Sequence, residues 1–351
     1  MAETIEKKDI RNLSLENISQ FLTDHGEKAF RAKQIDEWLW KKSAKSFEEM
    51  TNLSLATREL LDQHFTINHI AVDNMQRSND GTVKNAVKLF DGMIVESVLI
   101  PTDTRITACI SSQVGCSLDC HFCATARLKR MRNLNPDEIY DQVAAIKQQG
   151  DEFYNRPLTN IVYMGMGEPL LNYANVMASI EKITSPKGLG MSPRRITLST
   201  VGIPKMIRKM ADDGVKFNLA VSLHSAIDET RSQIMPINTK SPTGELLEAL
   251  QHWYKLTNRA ITFEYVVWKG VNDDKRHVDA LVKYCKQVPS KVNLIEYNSI
   301  DDPRFITADP DKIQLYIDIL EKNRITVNVR RSRGKDIDAA CGQLANKETV
   351  E

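Results

Sequence analysis

Cys116-Ser117-Leu118-Asp119-Cys120-His121-Phe122-Cys123 places three cysteines within eight residues of the chain. This C-x3-C-x2-C spacing offers three thiolates to one metal centre. A closed zinc site takes four ligands, and ferredoxin-type iron–sulfur clusters are held by four cysteines. Three thiolates on a [4Fe-4S] cluster leave one iron free to bind a further ligand that reacts. The stretch therefore favours an iron–sulfur centre with one open position.

Two other interpretations of this stretch remain. One is a zinc knuckle with Cys109 or His121 as the fourth ligand, and the other is three thiols that are neighbours without a shared metal. Zinc sites usually contain two well-separated Cys or His pairs, and the sequence has no second pair. Phe122 also fits a cluster, since clusters need apolar cover that excludes solvent. The open cluster is the preferred hypothesis.

The composition is that of an ordinary globular protein. The chain has 351 residues, of which 42% are hydrophobic and 26% charged, and a net charge of +1. This length predicts one large domain and a small one. No apolar run approaches the roughly 20 residues of a membrane span, and the first residues lack the apolar core of a signal peptide. We therefore expect a cytoplasmic protein without a membrane partner, whose six cysteines serve metals or catalysis.

The first part of the chain has helical periodicity. Apolar residues recur at helical spacing in 14–22, 30–42 and 54–65, which predicts a small helical unit over 1–75. Basic residues lie among its aromatic ones: Arg31, Lys33, Lys41, Lys42 and Lys45. They indicate either an RNA-binding accessory domain or a solvated face over a small core.

Alternating strand and helix patterns follow a hairpin. Asp91-Gly92 is a strong turn signal between strands expected at 84–90 and 93–100. Asn135-Pro136 and Asp309-Pro310 mark helix starts, and Gly150 marks a helix end. The pattern predicts an α/β fold, a partial (βα)6-type barrel with a small N-terminal helical domain. Its strands are expected at 105–112, 158–164, 195–200, 216–223, 260–268, 291–298 and 325–331. The predicted divisions are 1–75 for the helical domain, 76–103 for the hairpin linker, 104–335 for the barrel and 336–351 for a C-terminal cysteine loop and tail.

Polar groups follow several of these strands, at the barrel end where active sites gather. Gly165-Met166-Gly167-Glu168-Pro169 follows the second strand. Its glycines let a ligand approach the backbone, and its carboxylate can bind an ammonium group. A tight turn would give the same pattern. Ser199-Thr200, Ser222-Leu223-His224 and Tyr297-Asn298 end later strands, and together these groups predict a ligand-binding rim.

Three further residues stand out as candidates for chemistry. Cys109 lies in the first barrel strand, and Cys341 lies in a loop among Ala and Gly residues. A basic run before Cys341 could lower its pKa or bind phosphates; it comprises Arg330, Arg331, Arg333 and Lys335. Glu96 has apolar neighbours, which would raise its pKa and suit a general base, unless the side chain points outward. Cys285 is expected to be a small buried apolar residue.

These motifs, in this order, resemble the RlmN/Cfr family of RNA methyltransferases within the radical S-adenosylmethionine (SAM) superfamily. The resemblance covers nearly the whole chain, and the segments that carry it are Ala108–Cys116, Cys116–Thr125, Arg132–Leu134, Met164–Leu170, Ser192–Thr197, Ser222–Ser225, Met235–Asn238 and Asp338–Leu344. One departure is Ala126-Arg127-Leu128-Lys129-Arg130, where many relatives have glycines.

The resemblance implies cofactors and residue roles. Cys116, Cys120 and Cys123 would hold a [4Fe-4S] cluster whose open iron chelates SAM. The positions that match SAM contacts are Gly167, Glu168, Ser199, Ser222, Leu223, His224 and Asn298. Cys341 would accept a methyl group from one SAM, and a 5′-deoxyadenosyl radical from a second SAM would activate that methyl group. Glu96 would act as general base, and Cys109 would release the product by forming a transient disulfide with Cys341.

The resemblance also implies substrates and partners. The expected reaction is methylation of adenosine carbon 2 in 23S rRNA, at the peptidyl transferase centre, and in the tRNA anticodon loop. Pro169 favours this reaction over the Cfr-type methylation of carbon 8. Candidate RNA contacts are Arg127, Lys129, Arg130, Arg132 and the basic run 330–335. A monomer reduced by a donor such as flavodoxin or ferredoxin is expected. The alternative of another class is a non-catalytic, zinc-bound RNA-binding protein.

Overall fold

A ten-stranded sheet is the centre of the molecule in a computed structural model, which describes residues 7–347. The outer ends of the predicted ranges 1–75 and 336–351, residues 1–6 and 348–351, lie outside the described residues. Seven strands of the sheet are parallel and three, next to each other at one side, are antiparallel. No helix of residues 7–347 is long and apolar enough to cross a membrane.

The N-terminal unit contains the three helices expected from periodicity. Ser14 and Ser54 cap two of them by accepting backbone N–H groups of Asn17 and Thr57. Their apolar faces, which include Ile35, pack into a core that is continuous with that of the barrel. The elements are β1 (Lys8–Asp9), α1 (Leu15–Asp24), α2 (Arg31–Trp40), α3 (Leu55–His64) and β2 (Phe65–Thr66).

A buried ion cluster attaches this unit to the barrel. The Arg11 guanidinium lies 3.1 Å from Asp137 and 2.8 Å from Asp141 of the first barrel helix, and 3.7 Å from Asp9. Burial alone would lower the pKa of Arg11, but the three carboxylates raise it. Burial raises the pKa of Asp137 to about 6. Arg11 is thus a buried cation that links the N-terminal unit to the barrel, beside the contact between Trp40 and Tyr140.

The hairpin has one more strand than the sequence indicates. β4 (Val83–Lys88) and β5 (Ile94–Pro101) flank the Asp91-Gly92 turn as predicted, and Gly92 has the positive φ of 82° that the turn needs. β3 (Ala71–Arg77) pairs with β4 and was not predicted. Nearly all of β3 is exposed at the edge of the sheet, so its sequence does not alternate between apolar and polar residues.

The parallel strands occur close to their predicted positions. In the sheet β6 lies beside β5, and β9 to β14 follow it in chain order. The strands are β6 (Ile106–Cys109), β9 (Asn160–Tyr163), β10 (Ile196–Thr200), β11 (Asn218–Ser222), β12 (Ile261–Val266), β13 (Ser290–Ile295) and β14 (Thr326–Arg330). Two short strands after β6, β7 (Gln113–Val114) and β8 (Arg132–Asn133), form a separate pair that carries the cysteine loop between them.

Helices connect the parallel strands, and capping residues determine where the first of them begins and ends. Asn135 and Glu138 form a capping box at the predicted start of α4. That helix continues past Gly150 and ends at Asn155, which has a left-handed φ of 48°, so the predicted end was wrong. The helices are α4 (Pro136–Tyr154), α5 (Tyr173–Thr184), α6 (Pro204–Asp212), α7 (Asp228–Ile234), α8 (Thr243–Thr257), α9 (Lys275–Cys285) and α10 (Pro310–Lys322). The predicted fold class, a partial βα barrel with a small N-terminal helical domain, is confirmed.

Candidate active site

One cavity opens at the carboxyl ends of the parallel strands, where the fold places chemistry. It gathers most of the residues that the sequence singled out. They are Cys116, Cys120, Cys123, Gly167, Glu168, Ser199, Ser222, His224, Asn298 and Cys341. Leu223, Cys109 and Glu96 do not line it. Leu223 is fully buried in the core, and its backbone N–H donates to the carbonyl of Glu264.

The three motif cysteines share one side of the cavity. Burial raises the pKa of the Cys116 thiol to about 11 and that of Cys120 well above its usual value, and thiolate repulsion among the three adds to the rise. Gly115 has a φ of 72°, and a side chain there would collide with the carbonyl of Lys129. The loop can therefore cross itself closely and present its thiols inward. The thiols are protonated until a metal centre converts them to thiolates.

The donor set of the loop is chemically suited to an iron–sulfur cluster. A [4Fe-4S] cluster takes one thiolate per iron, so three cysteines hold three of its irons and leave the fourth iron open. Cys116, Cys120 and Cys123, which line the same cavity, are the residues that would hold it.

Aromatic rings cover the motif, as expected for Phe122. The Phe122 ring lies 4.6 Å from His224 and 5.2 Å from Trp268, measured between centroids. Cys120 belongs to the same apolar group, together with Val266 and Phe305. The rings keep solvent away from the cysteines and lower the local dielectric, which is what an iron–sulfur centre requires.

Glu168 is a buried carboxylate at the second barrel strand. Gly167 has a φ of 95°, and a side chain there would lie 2.5 Å from Gln113, so the turn requires glycine. The Glu168 carboxylate accepts backbone N–H groups from Leu170 at 3.0 Å and Val201 at 2.9 Å. Burial outweighs these bonds and raises the pKa of Glu168 to about 7. An ammonium group in the cavity would restore its charge.

His224 and Asn298 offer fixed polar atoms to a ligand. Burial lowers the pKa of His224 to about 3, so its ring is neutral. Nδ1 accepts the backbone N–H of Val266 at 3.1 Å, which makes Nε2 the protonated nitrogen and a donor. Oδ1 of Asn298 is buried without a partner, as expected of an atom that binds a ligand.

Cys341 lines the cavity from the C-terminal loop. Cys341 is exposed, and desolvation by the surrounding cavity walls raises the pKa of its thiol, while Arg330 opposes this rise. Cys109 lies in β6 outside the cavity lining, and burial and the charge of Cys341 raise its pKa to about 12. The two lone cysteines are thus close enough to interact electrostatically. The predicted lowering of the Cys341 pKa was wrong because desolvation outweighs the guanidinium.

Most candidate RNA-binding arginines already have protein partners. Arg132 lies 2.6 Å from Asp91 and 2.8 Å from Glu138, and Arg127 donates to the carbonyl of Ile300 at 2.7 Å. In the later basic run, Lys335 pairs with Glu296, and only Arg330 reaches the cavity. Lys129 and Arg130 are exposed beside the cysteine loop.

Two charged residues of the site were missed in the sequence. Glu264 of β12 lines the cavity with Oε2 unpartnered, and its Oε1 lies 3.6 Å from Arg330. A carboxylate inside an otherwise apolar parallel strand was the available signal. Arg231 of α7 is fully buried and donates hydrogen bonds to the carbonyls of Leu223, Val201 and Ser222. Its positive charge also interacts with the Cys120 thiol. No sequence pattern marks it.

An open three-cysteine motif at the carboxyl ends of a partial βα barrel defines an enzyme of the radical SAM class. Comparison with family models agrees: residues 110–281 match the "Radical SAM superfamily", and residues 8–67 match the "Ribosomal RNA large subunit methyltransferase N-terminal domain". A radical SAM methyltransferase from Sphaerobacter thermophilus has the same fold, with a TM-score of 0.90, 36% identity, and coverage of 96% of this chain and 99% of that one.

Curated relatives give the particular family. The probable dual-specificity RNA methyltransferase RlmN of Flavobacterium johnsoniae is 66% identical over 344 residues, covering 98% of this chain and 99% of its own. The RlmN of Geotalea uraniireducens is 44% identical over 345 residues, with 98% of both chains covered. The chain belongs to the RlmN family of radical SAM RNA methyltransferases, and it uses a [4Fe-4S] cluster and SAM.

Proposed function

We propose that this protein methylates carbon 2 of adenosine in 23S rRNA, at the peptidyl transferase centre, and in the tRNA anticodon loop, with Cys341 as methyl carrier. The observation that carries the proposal is the place of Cys341, in the same cavity as the three motif cysteines and Glu168. Adenine carbon 2 is electrophilic and does not attack a methyl donor by itself. A thiol that takes up the methyl group first removes this obstacle.

The residues of the cavity have separate tasks. Cys116, Cys120 and Cys123 would hold the cluster, and Glu168, His224 and Asn298 would orient SAM. Gly167, Ser199 and Ser222 line the same cavity and would also contact SAM. Leu223, the remaining position that the family resemblance assigns to SAM, lies behind the cavity wall in the core. When bound, the cluster and SAM supply one-electron chemistry that can remove a hydrogen atom from the methyl group on Cys341. The buried walls exclude water from this chemistry.

Cys109 and Glu96 carry out the last steps of the proposed reaction. Glu96 takes the proton lost from the adenine ring. The Cys109 sulfur, after losing its proton, attacks the Cys341 sulfur, so that an S–S bond forms and the S–C bond to the product breaks. The electron pair of the broken bond passes to the methylene carbon, which takes up a proton and becomes the methyl group of the product. A later two-electron reduction returns both thiols. The electrostatic coupling between Cys109 and Cys341 supports this pairing.

Partners and organisation are part of the same proposal. We infer a monomer in the cytoplasm that receives electrons from a flavodoxin- or ferredoxin-type donor. Residues 1–75 act as an RNA-binding accessory domain, 76–103 as a hairpin linker, 104–335 as the barrel and 336–351 as the catalytic loop and tail. The match of 8–67 to an RNA methyltransferase N-terminal domain supports the first of these roles.

The test is nucleoside mass spectrometry of a 23S rRNA fragment and a tRNA after anaerobic incubation with reconstituted protein, SAM and reductant. We expect 2-methyladenosine in both, and none with Cys341→Ala, although that variant keeps its cluster. 8-Methyladenosine would overturn the choice of carbon. A Cys341→Ala variant that still methylates RNA would overturn the carrier role.

A further inference from the structure

The segment that carries Cys341, residues 341–346, is held on two sides by hydrogen bonds. On the side of the cysteine motif, the Ala124 N–H donates to the Gly342 carbonyl at 2.7 Å, and the Thr125 hydroxyl donates to the Leu344 carbonyl at 2.7 Å. On the other side, the segment reaches β5 of the hairpin. Cys341 therefore lies in a loop whose position is set by bonds a few residues further along the chain.

Glu96 accepts two of the hydrogen bonds on the hairpin side, and the side-chain amide of Asn346 adds a third by donating to the Ile94 carbonyl at 2.8 Å. Its Oε2 accepts the backbone N–H of Ala345 at 2.7 Å and that of Asn346 at 3.2 Å. Its Oε1 lies 3.5 Å from the Nζ of Lys84. The side chains of Glu96 and Lys84 are only 5% and 7% exposed. Hydrogen bonds from N–H groups to a buried carboxylate are strong because the acceptor is charged.

The same carboxylate does not line the cavity, whereas Cys341 does. Near Cys341 itself, Asn298 donates to its carbonyl at 3.2 Å. The partners of Glu96 are thus the backbone of the cysteine segment, four and five residues beyond the thiol, and Lys84. In this arrangement Glu96 holds the segment through Oε2. Because Oε2 already accepts two N–H groups, it is not free to take a proton from the adenine.

We propose that Glu96 is a positioning residue that anchors the Cys341 segment while Cys341 takes up its methyl group. The inference rests on the proposed function and deepens it, since it gives Glu96 a task before any RNA has reacted. A thiol accepts a methyl group only when it is held in line with the donor, and a loosened segment spends less time in that position. The general-base task follows later, once the carboxylate has left these N–H groups.

The two tasks of Glu96 differ in what they require. Anchoring needs an acceptor oxygen, which the amide of glutamine also provides, whereas proton abstraction needs a carboxylate. Glu96→Gln is therefore expected to keep the segment fastened and to stop the reaction after the RNA is attached. Glu96→Ala is expected to release the segment and to slow the methylation of Cys341 itself.

The direct test is amide hydrogen exchange of the cluster-loaded protein without SAM or RNA, measured on peptides that cover residues 336–347. In Glu96→Ala the Ala345 and Asn346 amides are expected to exchange at least about tenfold faster, because charge-assisted bonds are lost. Glu96→Gln is expected to remain within about threefold of the wild type. Peptides from α9 correct for any change in global stability. Unchanged exchange of residues 345 and 346 in Glu96→Ala would overturn the proposal.

The consequence for chemistry is measured as methyl uptake by Cys341 from SAM in the absence of RNA. Glu96→Ala should be slowed at least about tenfold and Glu96→Gln little. Thr125→Val, which loosens the same segment without touching Glu96, is the matched control and should also be slowed. Normal uptake by Glu96→Ala would show that the segment needs no anchor. If the wild type takes up no methyl group, the proposed function fails, while the exchange comparison still decides the anchoring.

Discussion

Glu168 is a buried carboxylate of the site whose charge changes near neutral pH. Burial raises its pKa to about 7, from a usual value of 4.5. In the proposed function the charged carboxylate holds the ammonium group of SAM, so we expect binding to be full above pH 7 and to weaken as the pH falls. His224, with a pKa of about 3, stays neutral over this range and does not contribute.

We therefore expect the affinity for SAM to decrease about tenfold for each pH unit well below 7. Titration of reconstituted protein with SAM at several pH values measures it. Glu168→Gln should bind weakly and without this pH dependence. An affinity of the wild type that does not change with pH would mean that Glu168 does not hold the ammonium group.

Cys109 provides a second prediction at the scale of one residue. In the proposed function the Cys109 thiol releases the product, so Cys109→Ala should accumulate a covalent complex of protein and RNA. A shifted band in a denaturing gel detects it. Cys285→Ala is the matched control, because Cys285 is an equally buried cysteine outside the cavity. A Cys109→Ala variant that turns over normally would remove its resolving role.

At the scale of elements, the turn after β9 depends on glycine. A Cβ at residue 167 would lie 2.5 Å from Gln113, whereas one at Gly26 meets nothing within 4 Å. Both glycines have positive φ, of 95° and 78°, so alanine is strained at both, by about 1 kcal/mol. Gly167→Ala should lower the free energy of unfolding by about 2–4 kcal/mol and Gly26→Ala by about 1 kcal/mol. Equal losses in urea unfolding would contradict the close contact.

The junction between the N-terminal unit and α4 gives another prediction. Arg11→Met leaves Asp9, Asp137 and Asp141 buried without a cation, which should cost about 3–5 kcal/mol of unfolding free energy. Lys41→Met, which removes an exposed ion pair with Glu37, should cost about 0.5 kcal/mol or less. Urea unfolding measures both. A small loss for Arg11→Met would show that the apolar contacts alone hold the unit in place.

At the scale of the whole molecule, the sequence predicted what depends on local pattern. The parallel strands are runs of apolar residues bounded by turn signals, and the site residues at their carboxyl ends follow from the rule for βα barrels. β3 was missed because an exposed edge strand has no alternation. Arg231 was missed, and the pKa of Cys341 was misjudged, because their surroundings come from elements far apart in the chain. Glu264 was missed although a carboxylate inside a predicted parallel strand marked it. The hydrogen bonds from residues 345 and 346 to Glu96 also join distant parts of the chain, so the sequence alone could not predict them.

In the proposed function Cys341 carries the methyl group from SAM to RNA. The most direct measurement is the mass of the peptide of residues 336–347 after anaerobic incubation of cluster-loaded protein with methyl-labelled SAM, before and after RNA is added. We expect the peptide to gain one labelled methyl group and to lose it to 2-methyladenosine in the RNA. RNA methylation without any labelled peptide in the first step would contradict the account.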